Sequence, residues 1–402
     1  MNWKRTLWIL WAANFAVTAG MSLVIPFLPL YIETLGVHHL PDIERWSGWI
    51  FSAQFVTSVF FQPIWGSIAD RHGRKVMLLR AGFGMGIVTA LMGLVGAPWQ
   101  LLLLRLLNGV FSGFISMAVS LQASITPNEH SGRALGTLQT GAIAGNLIGP
   151  LLGGALAEGI GFQAVFYLTG ALLLVASLIV MFFVHEPVKN NAQQTGKAKG
   201  QLKDLSPLLP VFVASTFIQV GMMSIEPIVT IYAKTIYTGG HLAFFAGLVV
   251  ATSGIANLIG APLLGRIGDR IGQRKVLTLA LVMAALTYLP QALAHTMTML
   301  LAGRFLLGLF IGGMIPSLNV LVKKLAPQRM LATAFGINSS SVFLGNLIGP
   351  LLGSSIAAAF SIRDVFYVTM AVLLVNAVMI VVNRKLDIEP RRVASTEVSA
   401  QE

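Results

Sequence analysis

Residues 145–153 read GNLIGPLLG, and residues 345–353 read GNLIGPLLG again, 200 positions further along the chain. The repetition continues beyond this string, because residues 165–167 and residues 365–367 both read VFY. A nine-residue identity at a fixed offset, with further matches around it, is typical of an internally duplicated chain. The sequence therefore predicts two similar halves of about equal length.

Composition places both halves in a membrane. The chain has 402 residues, of which 55% are hydrophobic and 10% are charged, whereas about 25% of the residues of a typical soluble protein are charged. Apolar runs recur that are long enough to cross a bilayer core of about 30 Å. We predict twelve spans, at approximately 5–32, 47–69, 76–96, 98–121, 132–156, 163–184, 208–232, 243–266, 275–294, 297–321, 330–358 and 364–383.

The expected fold is an all-α membrane protein with twelve transmembrane helices in two pseudo-symmetric six-helix bundles. Six is an even number, so both halves have the same orientation, as in secondary transporters that enclose a central site. The predicted domains are an N-terminal bundle at 1–184, a polar cytoplasmic linker at 185–207, a C-terminal bundle at 208–384 and a cytoplasmic tail at 385–402.

The net charge of +12 indicates the orientation of the protein in the membrane and not a nucleic-acid partner. With the N-terminus inside, 22 of the 27 Lys and Arg residues lie in inside segments, and Arg80 is counted among them. Arg45, Lys234 and Arg363 lie outside, while Arg105 and Arg304 lie within spans. The positive-inside rule then predicts a multi-pass protein of the bacterial inner membrane with both termini cytoplasmic.

Several kinds of chemistry are absent from the sequence. There is no cysteine, no GxxxxGK[ST] phosphate loop and no HExxH sequence, so thiolate catalysis, ATP hydrolysis by a P-loop and a zincin site are not expected. No evident Ser/His/Asp set or metal-ligand cluster is present. We therefore expect no enzyme activity, no metal and no cofactor, which leaves an ion gradient as the energy source.

Glu226 is the only acidic residue in the body of a predicted span, and it directly precedes Pro227. An intramembrane charge costs at least about 2.5 kcal/mol on insertion scales, so it is expected to face a cavity or a partner. Burial favours the protonated carboxyl, which suits a group that takes up and releases a proton. The alternative is a protonated glutamate hydrogen-bonded to a helix kink.

Other polar groups in the spans are candidates for the same cavity. Arg105 keeps its charge when buried and is predicted to lie on a cavity or proton pathway, with a structural hydrogen-bond hub as the alternative. Arg304 lies at the matching depth, without the asparagine that Arg105 has three residues later, and is interpreted as structural. The amide candidates are Asn14, Gln54, Gln139, Asn146, Gln219, Asn257, Asn319 and Asn338; each has an interhelical hydrogen bond as its alternative role.

A basic loop occurs in both halves. GSIADRHGRK starting at Gly66 matches GRIGDRIGQR starting at Gly265, at an offset of 199. The Asp70 and Asp269 carboxylates are placed to accept N–H groups at a helix start. The loop arginines supply donors for carboxylates or helix C-termini. The alternative is a basic turn that only sets topology.

The fifth span carries a regular series of small residues: Gly141, Gly145, Gly149 and Gly153. Glycines at every fourth position form one smooth helix face and allow a neighbouring backbone to approach closely. Pro150 removes one internal hydrogen bond and allows the helix to bend.

These motifs resemble the major facilitator superfamily. The Gly66–Lys75 loop is similar to its signature between the second and third spans. The sequence 105–109, RLLNG, resembles the fourth-span signature of its proton-coupled members, and the fifth-span glycines with Pro150 resemble the signature of its drug/proton antiporters. NWKR at 2–5, PFLP at 26–29 and the segment 80–86 resemble MdtG-type multidrug resistance proteins.

The resemblance covers nearly the whole chain and implies roles for particular residues. It implies that Gly66, Asp70, Arg71, Gly73 and Arg74, together with Asp269 and Arg270 in the second copy, latch a two-state rocking motion. It also implies that Gly141, Gly145, Gly149, Pro150 and Gly153 belong to an antiporter. The assignment of Glu226 comes from its position in the span and not from the resemblance.

The leading interpretation is a monomeric, proton-driven exporter of amphipathic, drug-like molecules that works by alternating access. One alternative is a carrier for a single solute such as a sugar or peptide, which would show more charged or hydrogen-bonding groups in the spans. A second alternative is a membrane receptor or assembly subunit without transport, which the matched loops disfavour.

Overall fold

A computed structural model describes residues 3–127, 130–186, 202–237, 239–327, 331–383 and residue 386. Throughout these ranges, the regular secondary structure is helical. The side chains of Asp70 and Arg71 are outside the described part of the chain, and so are most of the predicted linker and tail.

The first half contains eight helices. They are α1 (Trp3–Leu23), α2 (Leu28–Thr34), α3 (Leu40–His72), α4 (Arg74–Leu91), α5 (Pro98–Phe111), α6 (Phe114–Ile125), α7 (Ser131–Ile160) and α8 (Phe162–Phe183). The helix pairs α1/α2 and α5/α6 each form one interrupted span. The N-terminal bundle is held together mainly by α1 against α7 and α8, α4 against α8, and α3 against α5.

The second half repeats this order with one interrupted span. Its helices are α9 (Leu209–Met223), α10 (Val229–Ile236), α11 (Leu242–Ile271), α12 (Gln273–Ala292), α13 (Met297–Leu325), α14 (Leu331–Ala359) and α15 (Ile362–Val382). The helices α9 and α10 share a span. The C-terminal bundle is formed by α11 against α13, α12 against α13 and α15, and α9 against α14.

The helices have the length and composition of membrane spans. Within the described residues, eleven spans are long and apolar enough to cross a membrane. The 33-residue helix α3 occupies the second predicted span and completes the set of twelve. Large apolar side chains such as Leu94, Phe182 and Val382 are exposed on the surface, as expected where lipid replaces water. The predicted fold class is confirmed.

Three spans predicted as continuous are interrupted. A turn at residues 224–228, which contains Glu226 and Pro227, separates α9 from α10. Pro26 lies in the 3₁₀ turn between α1 and α2, and both interruptions follow from the missing proline N–H. The third break lies between α5 and α6, where Gly113 has φ +115°, a conformation that favours glycine.

The glycine series of α7 brings this helix close to α1. A Cβ added at each of the four glycines would contact main-chain atoms of α1, at Trp11, Phe15, Ala19 and Leu23 in turn. The spacing thus has the packing consequence predicted from the sequence. The same string in α14 lies against α9 in the other bundle.

Two helix pairs join the bundles: α7 with α11, called junction A, and α3 with α14, called junction B. In junction A, Gly247 faces the carbonyl of Pro150, and in junction B, Gly48 faces the carbonyl of Pro350. The two glycines are 199 positions apart and the two prolines 200, so the junctions are pseudo-symmetric copies. We call the end of the molecule where α3 and α11 begin the junction end.

Further hydrogen bonds between the bundles lie at the junction end or in the adjoining half of the helices. The Thr230 hydroxyl donates to the carbonyl of Pro26 at 2.7 Å, and Lys234 pairs with Glu33 at 2.7 Å. The opposite end, which we call the basic end, contains the start of α1 and the turns at Gly73 and Gly272. The two bundles are therefore in contact with each other at the junction end.

Candidate functional site

A cavity of about 500 Å³ lies in the N-terminal bundle, and we call it the N cavity. Its wall combines apolar side chains with a few amides and hydroxyls, which come from α1, α3, α4, α5, α6 and α7. The lining residues that carry polar side chains are Gln54, Ser58, Gln62, Asn108, Ser112, Ser116 and Gln139. Apolar walls with a small number of polar groups are typical of small-molecule sites of this volume.

A smaller cavity of about 280 Å³, the C cavity, lies in the C-terminal bundle. Gln219, Asn319 and Asn338 all line it, so three of the amides predicted from the sequence converge here. Phe343 of α14 lines both cavities. The two cavities therefore adjoin one another at this side chain.

Arg105 lies behind the wall of the N cavity and is 8% exposed. Its guanidinium donates to the Gln54 side-chain oxygen at 3.0 Å, and Gln54 lines the cavity. Its Nε atom is buried without a hydrogen-bond partner. Three residues later, Asn108 donates to the Thr89 hydroxyl at 3.2 Å. Arg105 is thus connected to the cavity through a neutral amide.

Glu226, Arg304 and Tyr288 form a second polar cluster, which we call the Glu226 cluster. The Glu226 and Arg304 charges are close enough to interact, and the Tyr288 phenol lies near both. Arg304 is 3% exposed, and its Nε and Nη2 atoms have no hydrogen-bond partner; the same is true of the Glu226 Oε2 atom. The Tyr288 hydroxyl donates to the Gly221 carbonyl at 3.3 Å. The structure brings Glu226 beside Arg304 but into neither cavity.

Two of the predicted cavity amides have other surroundings. Asn146 accepts a hydrogen bond from the Ser22 hydroxyl at 2.6 Å, which links α7 to α1. Asn14 is fully buried in α1, and neither side-chain polar atom has a partner. Neither residue lines the N cavity or the C cavity. Asn146 therefore has the alternative role expected for a membrane amide, an interhelical hydrogen bond.

At the first basic loop, Gly73 and Arg74 lie where α3 turns into α4. Gly73 has φ +98°, and an added Cβ would contact the Glu186 carboxylate. Arg74 donates from its guanidinium to the Ser120 carbonyl in α6 at 3.0 Å. A Cβ at Gly66 would meet nothing within 4 Å. The roles of these residues in a conformational latch remain predictions.

Glu186 was not identified from the sequence. Its two carboxylate oxygens accept the N–H groups of Arg74 and Lys75 at 2.9 and 2.8 Å, so it caps the start of α4. This is the contact that the sequence predicted for Asp70. Its role was missed because Glu186 lies just beyond α8, in a segment interpreted as a linker.

The second basic loop has a more local arrangement. Asp269 accepts a hydrogen bond from the Gln273 side chain at 3.1 Å, and Ser317 donates to the Gln273 oxygen at 3.0 Å. Asp269 and Arg270 are both exposed. Because Gln273 stands where the first copy has Arg74, the two turns are held by different contacts.

Arg80 is a further residue whose position the sequence misplaced. Contrary to its predicted place in a cytoplasmic segment, it lies about two turns into α4. Its guanidinium lies 4.0 Å from the centre of the Trp65 ring and donates to the carbonyls of Val110 and Ser112 at 3.1 and 3.2 Å. A cation at a helix C-terminus is favourable, so Arg80 stabilises the break between α5 and α6, beside the N cavity.

The described residues contain no group of three or more His, Asp or Glu side chains arranged to hold a metal ion. Their polar features include the amides at the cavities and the Glu226 cluster. Two six-helix bundles that contain such cavities define a membrane transporter of the secondary type.

The chain belongs to the Major Facilitator Superfamily, whose family description it matches over residues 10–239 and again over residues 211–400. This confirms the resemblance recognised in the sequence motifs. The first matched range contains most of the N-terminal half and extends into the C-terminal half, and the second range contains most of the C-terminal half.

Close relatives share nearly the full length of the chain. It is 42% identical to the multidrug resistance protein MdtG of Citrobacter koseri over 94% of each chain. It is 41% identical to the protein of the same name from Enterobacter lignolyticus, over 100% of this chain and 96% of that one.

Solved structures share the fold at much lower identity. A bacterial homologue of the human lysosomal transporter Spinster superposes with a TM-score of 0.80 at 14% identity, over 94% of this chain and 96% of that chain. The nucleoside transporter NupG also superposes with a TM-score of 0.80, at 15% identity over 95% and 99% of the two chains. At these identities the similarity concerns the fold.

Proposed function

We propose that the protein is a proton-coupled exporter of amphipathic, drug-like compounds, and that it works by alternating access. The observation that carries this proposal is the similarity to multidrug resistance proteins at 42% identity over 94% of both chains. The N cavity supports it, because a largely apolar wall with scattered amides accepts chemically varied ligands.

The orientation follows from the distribution of basic residues. The positive-inside rule places the basic end and both termini in the cytoplasm of a bacterial inner membrane. The junction end then faces outside. Since the bundles are joined at that end, the described conformation is the inward-facing one, and export requires junctions A and B to separate while the basic end closes.

The energy source in this proposal is the proton gradient, with no cofactor and with the protein acting as a monomer. Glu226 is the proposed proton-binding group. Its carboxylate is buried beside the Arg304 cation, and one of its oxygens lacks a hydrogen-bond partner. A buried charge pair with unsatisfied atoms is costly, so protonation of Glu226 and a shift of Arg304 would relieve the cost in one of the two states.

The test is transport by purified protein in liposomes that contain a fluorescent cationic dye, with an imposed proton gradient. We expect gradient-driven dye movement in the wild type and a loss of at least about tenfold in Glu226→Gln. Asp42→Asn is the matched control, because it removes an exposed carboxylate that pairs with Arg45 at 3.8 Å, and it should transport normally.

Each result has a definite meaning. Retained transport in Glu226→Gln would move proton coupling to another group. Absence of transport for several unrelated dyes would refute the multidrug function and favour a carrier for a single solute.

A further inference from the structure

Junction B contains a recess of about 580 Å³ that belongs to neither the N cavity nor the C cavity. It lies at the junction end, between the start of α3 and the elements α10, α14 and α15. Its polar lining residues are Glu44, Tyr232, Thr235, His295, Ser361 and Arg363. The volume is within the range of about 300–1,000 Å³ that is usual for small-molecule sites.

Glu44 is the unusual group in this recess. It is 2% exposed, yet the described contacts include no hydrogen bond or ion pair to its carboxylate. The neighbouring acid Asp42 is exposed and pairs with Arg45. A buried carboxylate without a counter-ion is unfavourable, so a cation in the recess would lower the free energy of the ionised form.

The pseudo-symmetric junction A shows that the fold does not require this carboxyl group. The internal repeat relates Glu44 to Ala243 and Ala358 to Glu158. In junction A, the exposed Glu158 carboxylate accepts the N–H of Phe244 and contacts the ring of His241. In junction B, Ala358 has no carboxylate, and the acid Glu44 stands on the opposite helix, where both residues line the recess. Packing alone therefore does not explain Glu44.

We propose that the recess in junction B is a binding site for an organic monocation, such as a protonated or quaternary amine, with the Glu44 carboxylate as its counter-ion. The site is separate from the transport cavities and goes beyond the proposed exporter function.

The chemistry of the lining favours this class of ligand. A divalent metal ion such as calcium takes six to eight oxygen ligands, and Glu44 is the only carboxylate among the lining residues. The Arg363 guanidinium interacts with the phenol oxygen of Tyr232, and the described residues show no ion pair between Arg363 and Glu44. Leu40, Ile236 and the 79% exposed Phe360 supply apolar and aromatic surface, which suits an organic cation.

Proton competition should make this binding depend on pH. Burial raises the pKa of Glu44 to about 7, so the carboxylate is mostly protonated below that pH and ionised above it. The other titratable or charged groups around the recess are Tyr232, His295 and Arg363. Asp42 and Arg45 lie on the same helix, and Glu33 of the adjacent α2 is paired with Lys234.

The experiment measures equilibrium binding of tetraphenylphosphonium to the full chain in lipid nanodiscs. This probe carries a permanent charge, so its own state does not change with pH. Triphenylphosphine oxide is the uncharged comparison. All variants are made in both the wild-type and the Glu226→Gln background, so that binding near the Glu226 cluster is identified separately.

We expect affinity for the cation to rise by about tenfold between about pH 5.5 and 8.5, as Glu44 ionises. Glu44→Gln should weaken binding by about tenfold at pH 8.5 and remove the pH dependence. Asp42→Asn removes the same charge two residues away and should leave binding unchanged. Ala358→Phe, which fills the recess, should weaken binding even if Glu44→Gln does not fold.

Three results would overturn the proposal. The first is equal affinity in the wild type, Glu44→Gln and Ala358→Phe. The second is equally strong, Glu44-independent binding of the uncharged compound, which would make the recess a general apolar site. The third is an affinity for the cation that does not change between about pH 5.5 and 8.5 in the wild type. Dye transport is measured independently, so failure of this site and failure of the exporter function remain distinguishable.

Discussion

Junction A and junction B come from the same internal repeat but are held together differently. In junction A, Glu158 reaches across the bundle boundary and caps the start of α11, accepting the Phe244 N–H at 2.9 Å. In junction B, the corresponding residue is Ala358, and the recess with the unpaired Glu44 takes the place of that contact. Two copies of one backbone arrangement thus differ in where the acid lies. The exposed Glu158 of junction A has hydrogen-bond partners, whereas the buried Glu44 of junction B has none among the described contacts.

Both junctions depend on a glycine, and replacing it should have the largest effect. In Gly247→Leu the side chain would collide with the Pro150 carbonyl, and overpacking costs about 1–3 kcal/mol or more. We expect the junction end to open. Because the chain has no cysteine, a Glu33→Cys/Lys234→Cys pair and a short cross-linker would measure this as a loss of at least about tenfold in cross-linking.

Gly159→Ala is the matched control for this prediction. Its added Cβ meets nothing within 4 Å, so cross-linking should remain at the wild-type level. Unchanged cross-linking in Gly247→Leu would show that close contact at this glycine is not needed for closure.

The second effect concerns pH and distinguishes junction B from junction A. Burial raises the pKa of Glu44 from 4.5 to about 7, and opening of the junction restores a more ordinary value. The closed junction is therefore favoured at low pH, and this stabilisation is lost as pH rises through about 7. We expect a loss of about 2 kcal/mol between about pH 5 and 8, measured with the same cross-linking pair.

Glu44→Gln should remove this pH dependence, while groups elsewhere contribute equally to both proteins. A pH dependence that is identical in the variant and the wild type would assign the effect to another group and leave the two junctions equivalent in this respect.

A smaller effect is expected for the cap in junction A. Glu158→Ala removes the acceptor for Phe244 and the contact with His241 at 2.8 Å. Loss of a helix cap typically costs about 1 kcal/mol, so cross-linking should fall by about fivefold. Glu158→Gln keeps an acceptor oxygen, so cross-linking should fall less in this variant. If cross-linking in both variants equals that of the wild type, the cap does not contribute to closure.

The smallest effect is expected for the ion pair that links the bundles beside the junctions. Lys234 and Glu33 are 47% and 28% exposed, and such pairs contribute about 0–1 kcal/mol. Lys234→Ala should lower thermal stability slightly at low salt and negligibly at high salt. Lys234→Arg should preserve stability, and a large, salt-independent loss in Lys234→Ala would contradict a surface ion pair.

Much of the candidate site was predictable because its residues are unusual for their positions. Arg105, Gln139, Gln219, Asn319 and Asn338 are polar residues in apolar runs, and all five lie at or next to a cavity. Periodicity and charge identify such residues without any knowledge of neighbours.

Residues defined by distant contacts were not predictable in this way. Glu186, Arg80 and Glu44 look ordinary in sequence, because acids and bases near the ends of spans are common. Their roles depend on hydrogen-bond partners or recess-lining residues that are 30 or more positions away along the chain. No local pattern records such partners.

The sequence by itself determined the membrane class, the repeat, the family resemblance and the expected orientation, because hydropathy, charge and local motifs are properties of consecutive residues. The tertiary structure decided which ends of the bundles meet, which polar groups reach a cavity, and that Glu226 lies beside Arg304. It also decided that identical strings at 145–153 and 345–353 serve junctions of different chemistry. The physical reason is that burial and pairing depend on which segments pack together, and two copies of one segment meet different partners.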